Sequence, residues 1–474
     1  MNKRVSNNQK YFCYTKIFWL IFVFNLLAII LPLSFIINIS EFRINSNGIL
    51  TLFIIWYSSA RLAILSAKGL KRLLSMTFWV FVYIWLGISP LFQVSVGRMP
   101  WPITTSEYHV TYALIISITG LLFYDVGMFL AGHLIKTNNT NYTPKLILDE
   151  RKILLFAPIS IVTAAVIIVA FFGGFDIFLL ARAVRNAYLN ELYSKSQLLL
   201  LDNLLRAIIF VSLQSVFVIW IRRTNNYLTK KNILKFIFLI VLIVLNLYIN
   251  NPISTARYRF GFVVISLLFI GLKWNEKTSF PLWTLMMITF LLIIFPYADL
   301  FRNRADVSLK SLEFLPIYEH LVGNGDYDAF QQLSNTVAYV SKKGITWGKQ
   351  LLGVIFFAIP RNLWPNKPLG SGEFIALNSG YYYTNLSCPL WAEAYLNGGF
   401  IAVIIIFTVY GILTKNIEHQ YLSQQNGASF LDIFVPFFAP YQIFFLRGDL
   451  MSTFAYLIPN ILFMLLVTKI NCKR

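Results

Sequence analysis

The run VTYALIISITGLLFYDVGMFLAGHLI, residues 110–135, carries one formally charged side chain, Asp125. A bilayer core about 30 Å thick takes roughly 20 apolar residues per helix, so this run is long enough to cross it. Eleven further runs have the same character: 16–38, 49–65, 73–95, 153–172, 198–221, 232–250, 258–272, 280–300, 393–414, 430–446 and 450–468. The fold class expected is an all-α polytopic membrane protein of about 12 transmembrane helices with one large outer loop. In domain terms, residues 1–300 hold helices 1–9, residues 301–392 form the loop, and residues 393–474 hold helices 10–12. The 49–65, 258–272 and 430–446 runs are short, which fits tilted partners, re-entrant segments or ends that lie a few residues further out.

Composition supports the same class. Of 474 residues, 57% are apolar and 13% charged, whereas soluble domains carry about 25% charged residues. Disorder, collagen and a disulfide scaffold are excluded; Cys13, Cys388 and Cys472 lie far apart with no Cys-x-x-Cys pair. The net charge of +20 would suggest a nucleic-acid partner in a soluble protein, but here it follows topology. With the N-terminus inside, 22 Lys and Arg fall on the inner side and 16 on the outer, eight of those 16 in the long loop. Charges in long loops carry little topological weight, so both termini are expected in the cytoplasm and the long loop outside. Divided this way, the net charge is +18 inside, −1 in the spans and +3 outside, which leaves no nucleic-acid signal.

A second asymmetry remains. The outer side holds 10 Arg and 6 Lys, the inner side 6 Arg and 16 Lys. Topology needs only charge, whereas a planar fork of donors grips phosphate bidentately. The outer arginines also come in pairs: Arg182 with Arg185, Arg257 with Arg259, and Arg302 with Arg304. On a helix, residues three apart share a face, so Arg182 and Arg185 are candidates to clamp one anion; anchoring to lipid headgroups is the alternative. Arg61, Asp125, Asp202 and Arg206 fall within spans, where charge is costly and marks either a polar cavity or an ion pair; Arg206 with Asp202 is one such pair in prospect.

In the long loop, residues 328–340 have helical spacing, with Asp326 expected as N-cap and Gln331, Gln332 and Asn335 on the polar side. Asp328 and Glu393 are candidate general bases. The prolines of PRNLWPNKP (360–368) hold Arg361 and Lys367 near Trp364, which suits a phosphate beside a sugar face or a rigid turn at the membrane interface. Residues 351–359 are too few to span and are expected at the interface. The four histidines are scattered, so no metal site is expected. GITWGKQ (344–350) lacks the spacing and the Ser or Thr of a phosphate loop.

RFGFVVIS after Arg257, FRNRAD (301–306), GDYDAFQ (325–331), IPRNLWPNKPLGSGEFIA (359–376) and WAEAYLNGGF (391–400) together resemble an oligosaccharide repeat-unit polymerase of the Wzy type, which makes O-antigen or capsular polysaccharide. The resemblance implies a metal-independent and cofactor-free glycosyltransferase with its active site on the periplasmic side of the bacterial inner membrane. It would move the growing glycan from undecaprenyl pyrophosphate to the non-reducing end of a lipid-linked repeat unit. Donor and acceptor are thus both lipid-linked glycans, and a chain-length regulator and a flippase are the implied partners. By placement, the resemblance makes Arg182, Arg185, Arg302, Arg304 and Arg361 functional positions. The expected site joins catalytic Asp328, Glu393 and Arg302 to substrate-binding Arg182, Arg185, Arg257, Arg259, Arg304, Asp326, Arg361, Trp364 and Lys367. A lipid-to-lipid glycan ligase, for which His320 would be the marker, and a non-enzymatic flippase are the rival readings.

Overall fold

The computed structural model describes residues 2–37, 39, 41–137, 145–193, 195–223, 229–271, 279–297, 315–423 and 428–471. Among them, ten helices are long and apolar enough to cross a membrane: Tyr14–Ile36, Ser46–Lys68, Leu73–Val96, Glu107–Ile135, Glu150–Phe172, Gln197–Arg223, Lys230–Ile249, Phe280–Tyr297, Leu390–Ser423 and Phe430–Arg447. The chain is thus an all-α, multi-pass membrane protein. The runs 258–272 and 450–468 form helices of 15 residues, Arg257–Gly271, and 17 residues, Leu450–Leu466. At 1.5 Å per residue, the first of these measures only about 22 Å.

The 49–65 run is longer than its apolar core suggested. Asn45 accepts a hydrogen bond from the Gly48 amide at 2.8 Å and Gly69 closes the far end in the left-handed region, so capping extends the helix to Ser46–Lys68.

Leu73–Val96 is buried at every residue except the half-buried Val94 and Val96, as befits a helix apolar on every face. Among the described residues, the most extensive helix pairing joins Glu107–Thr137 to Leu390–Ser423. A Cβ on Gly127 would collide with the Thr408 carbonyl oxygen, and one on Gly411 with that of Tyr124. Where lipid tails are as apolar as leucine, such small residues let two backbones approach and supply the packing. Leu390–Ser423 is bent at Gly398 and Gly399, the latter at φ 62°, which separates its first turns from the remainder.

A two-stranded antiparallel ribbon, Lys145–Leu148 with Thr468–Asn471, ties the end of the chain to the segment before Glu150–Phe172. No periodicity in the sequence announces it.

Residues 315–389 form short helices and turns, as the Gly and Pro content predicts: Ile317–Gly323, Ala329–Lys343, Lys349–Ile355 and Ser371–Asn378. Two details differ from the sequence reading. Asp326 lies in a 3₁₀ turn, Gly325–Tyr327, whose start is capped by the Asn324 side chain accepting from the Asp326 amide at 2.9 Å; it does not cap Ala329–Lys343. The polar side of that helix is also covered. Gln331 accepts from the Trp101 amide at 2.9 Å and donates to the Trp101 carbonyl at 2.7 Å, and Asn335 donates to the Tyr381 hydroxyl at 3.0 Å. These amides carry no charge, so once hydrogen-bonded they can be buried at modest cost.

Candidate anion site

At the end of the bundle that carries residues 315–389, four chain segments bring arginines together. The helix Lys195–Arg223 supplies Asp202 and Arg206 one turn apart. Arg206 grips Asp202 with two donors, Nε at 2.9 Å and Nη2 at 2.8 Å, in the bidentate form that fixes a guanidinium plane. Its Nη1 donates to the Ile249 carbonyl at 2.8 Å and to Asn250 Oδ1 at 2.6 Å. From the helix Arg182–Leu192, Arg185 reaches the same carboxylate at 3.0 Å while its guanidinium lies 4.9 Å above the Phe178 ring. Arg259, in the first turn of Arg257–Gly271, is the third guanidinium on Asp202 and also donates to the Tyr456 hydroxyl at 3.0 Å.

Arg257 rests 5.0 Å from the Phe295 ring centre and pairs with Asp326 at 3.6 Å. At the end of Phe430–Arg447, Arg447 donates to the Gly325 carbonyl at 2.6 Å and to Asp328 at 2.8 Å. Its Nε is buried and makes no hydrogen bond.

These groups surround a cavity of about 220 Å³ lined by Arg182, Arg206, Arg257, Arg259, Arg447 and Asp326, together with Asn203, Asn250 and Tyr456. Most of its remaining wall is apolar, with Phe210, Phe262, Phe290, Leu291, Phe437 and Phe444 among the residues that form it. Among the described residues, and counting Arg185 behind the wall, six guanidiniums and three carboxylates, Asp202, Asp326 and Asp328, gather at or next to this cavity. A concave wall of low dielectric lined by several guanidiniums focuses its field on an anion. The apolar portion favours an anion that carries a greasy part.

The expected residues separate into groups. Arg182, Arg257, Arg259 and Asp326 share the cavity. Arg182 and Arg185 do not act as one clamp: Arg185 is buried and turned to Asp202, and only Arg182 reaches the wall. Asp328 is buried, accepting from Ser387 Oγ at 2.7 Å, Trp101 Nε1 at 3.1 Å and Arg447; it touches the cavity only through Arg447. Glu393 is fully buried, accepting from Ser371 Oγ at 2.8 Å and the Leu450 amide at 2.9 Å, and does not line the cavity.

Arg361, Trp364 and Lys367 are also elsewhere. Arg361 donates to the Lys367 and Pro368 carbonyls at 2.6 and 3.1 Å, and Lys367 to the Phe357 and Ile359 carbonyls at 2.6 and 2.9 Å. Burial, and Arg361 beside it, hold the Lys367 ammonium below the usual lysine range. Around this turn Leu352, Ile355, Phe356 and Leu363 are exposed, the signature of an interfacial segment. Arg302 and Arg304 lie outside the described residues. His320 is buried 5.2 Å from the Tyr297 ring and does not line the cavity.

Two of the cavity arginines escaped the expected set, as did the uncharged polar residues Asn203, Asn250 and Tyr456. Arg206 had an ion pair as its competing explanation, and it makes that pair while also facing the cavity. Arg447 counted only as a charge at a span end; its one sequence signal is the choice of Arg over Lys there. The other intramembrane pair, Arg61 with Asp125 at 2.6 Å, sits apart from the cavity.

No protein-family model, curated protein or solved structure matches the chain.

Proposed function

We propose that the chain is a repeat-unit polymerase of the Wzy type in the bacterial inner membrane. In this reading it crosses the bilayer twelve times, with both termini in the cytoplasm and the arginine cavity on the periplasmic side. The observation that carries it is the convergence of Arg182, Arg206, Arg257, Arg259 and Arg447 from separate chain segments on one cavity that also has a broad apolar wall. A lipid diphosphate has that same division between anionic head and apolar chain.

In the proposed reaction, the arginines hold the donor's pyrophosphate, with Arg302 and Arg304 as further phosphate ligands on the sequence pattern. The acceptor hydroxyl oxygen attacks the donor's anomeric carbon as the bond from that carbon to the diphosphate oxygen breaks. Undecaprenyl pyrophosphate leaves with the bonding pair, and fixed guanidiniums stabilise the charge that develops on it. The hydroxyl proton passes to Asp326, the carboxylate on the cavity wall, while Asp328 sets Arg447. A base of this kind contributes roughly 10²- to 10⁴-fold. Glu393 braces the helix Leu450–Leu466, and Arg361, Trp364 and Lys367 seat the loop in the interface. A chain-length regulator and the flippase that delivers repeat units are the partners this reading brings.

The test is a deletion strain examined by gel for surface polysaccharide, with the purified full-length chain incubated with lipid-linked repeat units. A polymerase leaves single-repeat glycan when deleted and lengthens the glycan in vitro. Unattached polymer in the deletion strain means a ligase, and loss of nearly all surface glycan means a flippase. Full activity of a His320→Ala variant speaks against the ligase.

A further inference from the structure

We propose that Asp202 is the positioning residue of the anion site: it does not touch the ligand, but fixes the guanidiniums that do. This rests on the reading of the cavity as a diphosphate site. Three arginines from three different helices meet on this one buried carboxylate, two of them, Arg206 and Arg259, also facing the cavity. Guanidiniums at this spacing repel one another, and without a common counter-ion they would turn to separate backbone carbonyls. With it, Arg206 is held in the plane set by two bonds to Asp202 and two to residues 249 and 250. Arg259 is held between Asp202 and Tyr456.

The cluster of one carboxylate and three guanidiniums keeps two positive charges in excess. Burying charge without compensation is expensive, so the open face of the cluster favours an anion. Asp202 therefore has two opposed effects on that anion. Its charge repels the ligand, while its hydrogen bonds preorganise the ligand's donors. Preorganisation is the larger effect, because each misplaced guanidinium forfeits a charge-assisted hydrogen bond in a site of low dielectric.

The opposed signs make the experiment decisive. Inorganic pyrophosphate is titrated into the purified full-length chain in detergent at fixed ionic strength, and the Kd of the folded fraction is compared with that of three variants. Asp202→Asn removes a negative charge, so Coulomb attraction alone makes binding tighter; positioning makes it weaker, by about tenfold for one lost charge-assisted bond. Asp202→Glu keeps the charge and displaces it by one methylene, and Arg185→Lys keeps the charge but removes the fork of a residue behind the wall. Coulomb attraction leaves both unchanged, and positioning weakens both. A purely structural role lowers Tm and leaves the Kd of the folded fraction as it was.

Weaker binding by folded Asp202→Asn or, where that variant does not fold, by Asp202→Glu and Arg185→Lys supports the proposal. Unchanged or tighter binding overturns it and leaves the diphosphate site standing. A wild-type chain that binds no pyrophosphate overturns both together.

Discussion

Two regions of this molecule look equally promising as phosphate sites in one dimension, and they fold to opposite ends. In the proline-bracketed turn of residues 360–368, Arg361 and Lys367 direct their donors to carbonyls within ten residues of themselves. In the cavity, arginines from residues 182, 206, 257, 259 and 447 arrive from separate segments and share a wall. Cations close in sequence find local acceptors at little entropic cost. Cations brought together by tertiary structure must be held against mutual repulsion, as Asp202, Asp326 and Asp328 hold these. Charge that the fold works to concentrate is therefore better evidence of a ligand than charge clustered along the chain.

The sharpest break of that comparison is Arg206→Gln. It deletes four hydrogen bonds and leaves Asn250 Oδ1 and the Ile249 carbonyl without that donor. Removing one member of a buried charge cluster costs about 3–5 kcal/mol. The expected result is loss of both polymer and extractable monodisperse protein, followed by size-exclusion chromatography. Arg259→Gln is the cleaner probe of function. Asp202 keeps Arg185 and Arg206 as partners, so the protein should accumulate, while the rate of glycan transfer falls about 10²- to 10³-fold, as for loss of one preorganised donor. Normal transfer by Arg259→Gln would break the comparison.

How much of this was legible follows from the same contrast. Apolar runs report on transfer between water and lipid, a local property, and they located most helices to within a few residues; the helix holding the 393–414 run continues in polar sequence to Ser423, and the first helix starts at Asn2, well before residue 16. Residues 49–65 read short because the helix is extended by its Asn45 cap and its Gly69 terminus, which hydropathy does not weigh. Of the arginines that the charge count assigned to the outer side, Arg182, Arg257 and Arg259 line the cavity; a guanidinium is chosen over an ammonium where bidentate geometry matters. The choice among carboxylates was not legible. Asp326 and Asp328 stand two apart, yet one lines the cavity and the other is buried under Ser387, Trp101 and Arg447. Contacts of that range, such as Trp101 with Asp328, leave no trace in spacing.

Asp328→Asn probes the boundary between the two regions. The amide keeps one oxygen but brings an N–H₂ group into a pocket built of three donors, which costs roughly 1–3 kcal/mol. Arg447 then loses its carboxylate and shifts on the cavity wall. Transfer should fall by about tenfold while Arg257 and Arg259 continue to bind the donor, so kcat drops more than KM rises. A general base at Asp328 would instead cost roughly 10²- to 10⁴-fold, and a loss of that size would return the proton-transfer role to Asp328 from Asp326.

The smallest effect belongs to the turn itself. The double variant Arg361→Ala with Lys367→Ala deletes four hydrogen bonds to backbone carbonyls. Two of those bonds, to the Lys367 and Ile359 carbonyls, are exposed and the other two half-buried, so water replaces much of what is lost and the net cost stays small. None of the deleted atoms lines the cavity, and the exposed Leu352, Ile355, Phe356 and Leu363 are left unchanged. Transfer rates should therefore remain within about twofold of wild type, the range of substitutions away from a site. Protease cleavage between residues 356 and 369 should accelerate, because the same bonds hold the turn closed. A loss of transfer comparable to that of Arg259→Gln, in protein whose cleavage pattern is unchanged, would mean that this turn meets the glycan directly, and that cations near in sequence can form a site as effective as cations assembled by the fold.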